Sequence, residues 1–216
     1  MSKITESDSQ NVDKSISGQN SVCMIGMDEG SPKNHKEAYK EKYLQPLELY
    51  TEDGRRVLGV DLGIRTLITA SNGERYLEKA LPKKSKKYMN AIFENIIKTV
   101  EFFFENFDVI CVESIDINEM QKDTTLTKWN AWPFWNAFYE AIQKEPARIV
   151  FIGKYYPSSK KCFHCGNINH ELPRGTIRWR CPNCRLFLDR DMNAARNIAF
   201  EGARVYNKLR ENKKAG

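Results

Sequence analysis

The sequence predicts an α/β fold class: a mixed sheet covered by helices, with a four-cysteine zinc ribbon inserted before the last helix. Three observations carry this. Arg56-Val-Leu-Gly-Val-Asp-Leu-Gly63 and Val109-Ile-Cys-Val-Glu113 are short apolar runs of the length and β-branched content of buried strands, and each closes near a carboxylate. Between them, Met89, Ile92, Phe93, Ile96, Ile97, Val100, Phe103, Phe104 and Phe107 recur at three-and-four spacing, which makes 86–107 an amphipathic helix. Finally, Cys162-Phe-His-Cys165 and Cys181-Pro-Asn-Cys184, fifteen residues apart, have the ligand spacing of a structural zinc site.

Residues 1–46 are rich in Ser, Asn, Asp, Lys and Gln with few apolar anchors, and read as a disordered lead-in, with at most a short helix near Lys36–Tyr43. The core is expected over 47–157, with regular order beginning at Arg56. Asp61 stands near the end of the first strand. Leu67–Ala70 forms a second, Ser71-Asn72-Gly73 a hairpin turn, and Arg75–Leu77 a third. Lys83-Lys84-Ser85-Lys86-Lys87 is a basic cluster that opens the long helix; it reads as a solvated turn, a phosphate contact or a nuclear signal. After the 109–113 strand, Asn118–Lys128 is polar and loop-like. Trp129, Trp132, Trp135, Phe138, Tyr139 and Ile142 then mark an aromatic helix face, with Pro133 in its first turn. Arg148–Gly153 is a further strand, 158–188 is the ribbon, 189–210 supplies the final helix, and 211–216 is a basic tail.

Charge divides the chain. From Phe151 onward there are 14 Lys+Arg against 5 Asp+Glu, which leaves 20 against 23 of the chain's 34 and 28 for the rest. A basic C-terminal third beside a metal ribbon suits a polyanion as well as it suits solubility. Lys160, Lys161, Arg178, Arg180 and Arg190 are the nucleic-acid-contact candidates. No apolar run is long enough to span a bilayer, and Met1-Ser-Lys does not begin a signal peptide, so no membrane partner is expected. Four thiols committed to metal imply a reducing, intracellular setting (nucleus, or nucleoid and cytoplasm) rather than secretion. Of the other two cysteines, Cys23 and Cys111, the latter reads as a small buried residue in its strand.

Four thiolates would hold one Zn²⁺ tetrahedrally and leave no open position, so the ribbon is structural: it folds a segment too short for a core of its own. The chemistry is expected elsewhere. Asp189 and Asp191 precede the small-residue run Asn193-Ala194-Ala195 of the last helix. Acids at a helix N-terminus cap N–H groups and complement the dipole, and that is one reading of both. The element order offers another. Three short strands, then helix, strand, helix, strand, insertion and helix is the order of an RNase H-like domain, in which Asp61, Glu113 and Asp191 would meet at one edge of the sheet. Three carboxylates so placed repel one another unless hard cations lie between them. Two Mg²⁺ or Mn²⁺ ions, bridged by Asp61 and flanked by Glu113 and Asp191, would suit phosphodiester hydrolysis, with Asp189 as a supporting or substrate-side group.

Gly59-Val-Asp61-Leu-Gly63, Val112-Glu113, Pro157-Ser-Ser-Lys160, the two Cys-x-x-Cys pairs and Asp189-Arg-Asp191-x-Asn193-Ala-Ala together resemble the C-terminal half of TnpB proteins, the transposon-encoded RNA-guided nucleases related to Cas12f and Fanzor. The resemblance covers about Arg55 to Leu209. It implies a RuvC nuclease domain, catalysis by Asp61, Glu113 and Asp191, and a target nucleic-acid-binding ribbon held by Cys162, Cys165, Cys181 and Cys184. It further implies DNA as substrate and RNA as guide. About fifty polar residues stand where such proteins carry guide-holding domains, so a short relative is expected. A non-catalytic nucleic-acid-binding remnant is the alternative. A dimeric junction resolvase would share the core but has no reason for a ribbon.

Overall fold

The computed structural model describes residues 47–78, 86–114 and 131–215. Expectations for the lead-in, Cys23, Lys83–Ser85, the 118–128 loop and Trp129 lie outside them.

The strands are β1 (Leu49–Tyr50), β2 (Arg56–Leu62), β3 (Thr66–Ala70), β4 (Arg75–Glu78), β5 (Val109–Glu113) and β6 (Ile149–Ile152). Helix α1 is Lys86–Asn106, α2 is Trp132–Ile142 and α3 is Arg190–Ala215, while β7 (Arg178–Arg180) and β8 (Phe187–Asp189) form a separate hairpin in the ribbon. The main sheet runs β4-β3-β2-β5-β6, with β1 paired to the start of β2. Strands β2, β3 and β4 form the antiparallel meander, and β2, β5 and β6 are parallel neighbours. A mixed sheet of this order, three meandering strands followed by two parallel ones reached through helices, is the RNase H-like arrangement.

Strand alternation decides which residues face which helix. From β2 and β5, Leu58, Val60, Ile110 and Val112 join the core under α1 and α2, beside Ile96, Phe103, Phe134 and Phe138. Their alternates Val57, Val109 and Cys111 join Val150, Ile152, Ile198, Ala199 and Ala203 beneath α3. Glycines let α3 lie close. A Cβ on Gly59 would stand 2.2 Å from the Ala195 carbonyl oxygen and 2.4 Å from the Ala199 nitrogen, and one on Gly202 would meet the Cys111 Sγ at 2.1 Å. The small residues after Asp191 therefore serve this approach, and Cys111 is the fully buried residue expected of it.

Several details depart from the sequence reading. Order begins before Arg56: Leu49 and Tyr50 pair with Val57 and Arg56, because Thr51–Arg55 closes a tight turn through the Thr51 carbonyl and hydroxyl. The aromatic face of α2 includes Phe134, fully buried, while Trp132 is only partly covered. The last helix does not stop near Leu209. It continues to Ala215 with Lys213 and Lys214 in its last turn, where cations complement the C-terminal carbonyls, so 211–215 is helix and not tail. Arg148 opens the last connection in an unforeseen role. Its guanidinium donates to the carbonyls of Phe104 (2.6 Å), Phe107 and Asp108 (3.3 Å) and lies over the Phe104 ring, capping the end of α1.

Candidate active site and metal ribbon

The carboxylates owe their meeting to register. Val60 pairs with Val112 in the parallel β2–β5 ladder, so Asp61 and Glu113 follow as neighbours at the same end of adjacent strands. Both share the parity of residues on the α3 face: Asp61 with Gly59 and Val57, Glu113 with Cys111 and Val109. Helix α3 packs across Gly59 through Ala195 and Ala199, one turn and more beyond Asp191, which brings its first turn to that end.

Asp191 and Glu113 each act on the charge of Asp61. The Asp61 carboxyl titrates well above the usual carboxylate range, first through burial, then through repulsion by Asp191, Glu113 and Asp189, with Arg190 opposing. Glu113 is also raised by burial, against the Ser158 hydroxyl and Arg190, which favour its ionised form. Asp191 is raised by burial and by Asp189, with Arg75, Arg190 and Arg65 opposing. Among the described residues Asp61 has no hydrogen-bond or ion-pair partner, whereas Glu113 Oε1 accepts from Ser158 Oγ. The acidic oxygens are not drawn as tightly as the cysteine sulfurs. Among the described residues, only the four cysteines place three or more potential ligand atoms all within 4.8 Å of one another.

The two acids before α3 have separate roles. Asp189 is the N-cap: its Oδ1 accepts from the Met192 N–H at 3.1 Å and pairs with Arg75 at 2.7 Å, which ties the end of the ribbon to β4. Asp191, inside the first turn, acts on Asp61 more strongly than Asp189 does. Asp189 stands where the N-terminal dipole favours an acid, and it adds negative charge beside Asp61 and Asp191.

In the ribbon, each knuckle closes the same way. Gly166 N–H donates to the Cys162 carbonyl at 2.8 Å and Arg185 N–H to the Cys181 carbonyl at 3.0 Å. The two residues making these bonds, Gly166 and Arg185, both have left-handed φ (75° and 62°). The Sγ atoms of Cys162 and Cys184 are 3.7 Å apart, and those of Cys165 and Cys181 are 3.6 Å apart. A tetrahedral ion with Zn–S bonds of about 2.3 Å asks for edges of about 3.8 Å, so the donor set fits Zn²⁺. Against burial that would raise it, the Cys165 thiol is pulled down to about 6 by the Asn167 backbone, the Asn183 side chain and neighbouring thiols, the ionised state a metal ligand needs. Trp179, Leu172 and Leu188 form a small core with Cys162 and Cys181.

Of the basic candidates, Arg178 and Arg180 are exposed on β7, and Arg180 Nε bonds the Arg185 carbonyl at 2.9 Å. Arg190 acts on all three acids. Lys160 and Lys161 are engaged within the chain, the first with the His170 carbonyl (3.2 Å), the second with the Tyr156 hydroxyl (3.2 Å) and ring. Sequence reasoning did not single out Arg65 and Arg75, which border Asp191, nor Tyr139, whose hydroxyl donates to the Glu113 carbonyl at 2.8 Å. Asn193 and Asn197 are also new as functional residues; both are buried and bonded to the first knuckle. Tyr139 stands on the aromatic helix face and Asn193 in the Asp189–Ala195 motif, but their contacts are not legible there, because each acts through a partner distant in the chain.

Comparison with known proteins bears on these features. Residues 137–198 match the family model "Cas12f1-like, TNB domain". A protein of Streptomyces pristinaespiralis named "Putative RNA-guided DNA endonuclease" is 25% identical over 182 residues, covering 67% of this chain and 45% of its own. "TnpB-like protein L79" of Acanthamoeba polyphaga mimivirus is 24% identical over 148 residues, 64% of this chain and 28% of its own. The chain thus spans less than half the length of these curated relatives. Among solved structures, a CRISPR-Cas12f ternary complex aligns at a TM-score of 0.47 with 16% identity, over 71% of this chain and 40% of that one. RuvC of T. thermophilus bound to a Holliday junction aligns at 0.43 with 14% identity, over 71% and 95%. The chain is thus similar in sequence to Cas12f1-like and TnpB-like proteins, and the family match spans the ribbon and the start of α3.

Proposed function

We propose that this chain is a RuvC-type, divalent-metal-dependent DNA endonuclease acting under RNA guidance, with Asp61, Glu113 and Asp191 as catalytic carboxylates and a structural Zn²⁺ in the ribbon. The observation that carries the reading is the gathering of three acids from β2, β5 and α3 at one end of the sheet, with Asp61 lacking any partner among the described residues. A folded protein tolerates such repulsion where a cation offsets it.

Asp61, central in the cluster, would bridge, and Glu113 and Asp191 would each hold one side. Bound there, Mg²⁺ or Mn²⁺ would supply an activated water and charge stabilisation at the leaving 3′ oxygen. The chain's own residues do the remainder. Ser158 fixes one Glu113 oxygen, and the Asp189 cap fixes the first turn that carries Asp191. Arg65, Arg75 and Arg190 place positive charge beside the acids, where the scissile phosphate must come to rest. Exposed Arg178 and Arg180 offer the ribbon's contact to the strand backbone. DNA as substrate and RNA as guide follow from what the Streptomyces relative is named for.

The test is cleavage of labelled single- and double-stranded DNA with Mg²⁺ or Mn²⁺, with and without RNA, comparing wild type with Asp61→Ala and Glu113→Ala. Loss of cutting in both variants with binding retained supports the assignment. Cutting that survives both discards it. Salt-dependent binding by the wild type with no cutting under any condition selects a nucleic-acid-binding protein instead.

A further inference from the structure

The segment joining β6 to the first knuckle forms a wall of both sites. Ser158, almost fully buried, donates through Oγ to Glu113 Oε1. Its carbonyl is gripped by two side-chain amides of α3, Asn193 Nδ2 at 3.1 Å and Asn197 Nδ2 at 2.7 Å. The same amides hold the carbonyl of Lys161, the residue before the first cysteine ligand, at 2.8 and 2.5 Å. Asn193 Oδ1 accepts from the N–H of Phe163, the residue after that ligand, at 3.0 Å. One turn along, the Arg196 guanidinium lies 4.8 Å from the Phe163 ring centroid. Asn193, Arg196 and Asn197 therefore form one face of α3 clasped to residues 158–163. Asp191 stands two residues before that face, and Cys162 lies inside the clasped segment.

Buried amides carry this clasp for a physical reason. Residues 158–163 turn sharply, with the Ser158 N–H returned to the Tyr156 carbonyl and those of Lys160 and Lys161 to Pro157. The Ser158 and Lys161 carbonyls consequently point into the protein, where they need donors. Asn193 and Asn197 are 1% and 2% exposed and supply them. An apolar residue at 193 would leave the Phe163 N–H without its acceptor and each carbonyl with one donor in place of two, and apolar residues at both positions would leave the carbonyls with none, so the bonds fix the segment's position as well as its fold.

We propose that Ser158 is a positioning residue for Glu113, and that Asn193 and Asn197 make it one block with the first knuckle, so that metal in the ribbon sets the cation affinity of the carboxylate site. The ribbon is then a support for the active site as well as a surface for nucleic acid. This rests on the carboxylate reading above. Partners that orient a ligand from behind are worth 10- to 100-fold in metal affinity as a rule, which sets the expected scale.

The experiment titrates Mn²⁺ into the full chain without DNA, following the ion by paramagnetic resonance. Wild type and Ser158→Ala are each measured with the ribbon loaded with one equivalent of Zn²⁺ and after that metal is stripped. Loaded Ser158→Ala should bind Mn²⁺ on the order of 10- to 100-fold more weakly than loaded wild type, while keeping its zinc. Stripped wild type should fall to a similar value, and stripped Ser158→Ala no further, since both losses act through one hydroxyl. Loaded Asn193→Ala should resemble the stripped wild type; if it does not fold, the Ser158 series decides alone. Equal Mn²⁺ affinity of loaded and stripped wild type overturns the proposal, as do fully multiplicative losses. Asp61→Asn separates the two readings. If it leaves Mn²⁺ binding intact, the carboxylate site itself is wrong; if it abolishes binding while the four samples agree, only the coupling is wrong.

Discussion

Gly59→Ala tests the link between packing and chemistry at a single atom. The added Cβ would stand 2.2 Å from the Ala195 carbonyl oxygen, 2.4 Å from the Ala199 nitrogen and 2.8 Å from the Ala199 Cα, all backbone of α3. Ordinary contact begins near 3.5 Å, so relief requires the helix to lift by roughly an ångström. No rotamer change can absorb this, because no flexible side chain is involved. Overpacking of a close-packed interface costs about 1–3 kcal/mol, and a backbone clash belongs at the upper end. For a chain of this size that lowers Tm by roughly 6–12 °C. The lift also carries Asp191 away from Asp61, and a misplacement of about 1 Å costs on the order of 100-fold in rate. Thermal melts read the first effect. Single-turnover DNA cleavage with saturating Mg²⁺, well below the variant's Tm, reads the second. A variant that melts within about 2 °C of wild type refutes the packing argument. One that melts lower but cuts at the wild-type rate refutes the claim that α3 sets the carboxylate geometry.

Other outcomes follow from the same structure. Because Asp61, Glu113 and Asp191 titrate above the usual carboxylate range, the folded chain keeps protons that the unfolded chain has released. Without divalent cations their stabilising contribution is therefore full below the ordinary carboxylate pKa and is lost as pH rises through the raised folded values. In chelator at neutral pH, Asp61→Asn should melt higher than wild type, by on the order of 1–2 kcal/mol, with the gap closing in acid and Mg²⁺ restoring the wild type. A variant less stable than wild type at every pH in chelator would count against the repulsion. Arg178→Ala and Arg180→Ala should each reduce the slope of log affinity against log salt by about 1 while leaving Mn²⁺ binding unchanged; unaltered slopes would remove β7 from the DNA contact. Metal analysis should find about one zinc per chain, abolished in Cys181→Ser, with amide exchange speeding through 158–189. A chain that holds no zinc would reject the ribbon's metal. Arg148→Ala strips three carbonyls at the end of α1 of their shared donor and should cost about 2–3 kcal/mol in denaturant unfolding.

By itself the sequence determined the elements and the residue types at their ends. Alternation and three-and-four spacing place strands and helices because side-chain burial is periodic along the chain, and Cys-x-x-Cys spacing is local geometry. Two strands closing on Asp61 and Glu113 marked a candidate site, because a buried strand has little other reason to end in an acid. How each acid is held depends on position in three dimensions. Asp189 and Asp191 read alike as helix-start residues, and only the fold shows the first bonded to the Met192 N–H and Arg75 while the second has the larger effect on Asp61. Likewise, Asn193 and Asn197 read as ordinary polar residues in a helix. Their meaning lies in carbonyls more than thirty residues away, which pattern cannot see because a hydrogen bond across a fold leaves no period in either partner's neighbourhood.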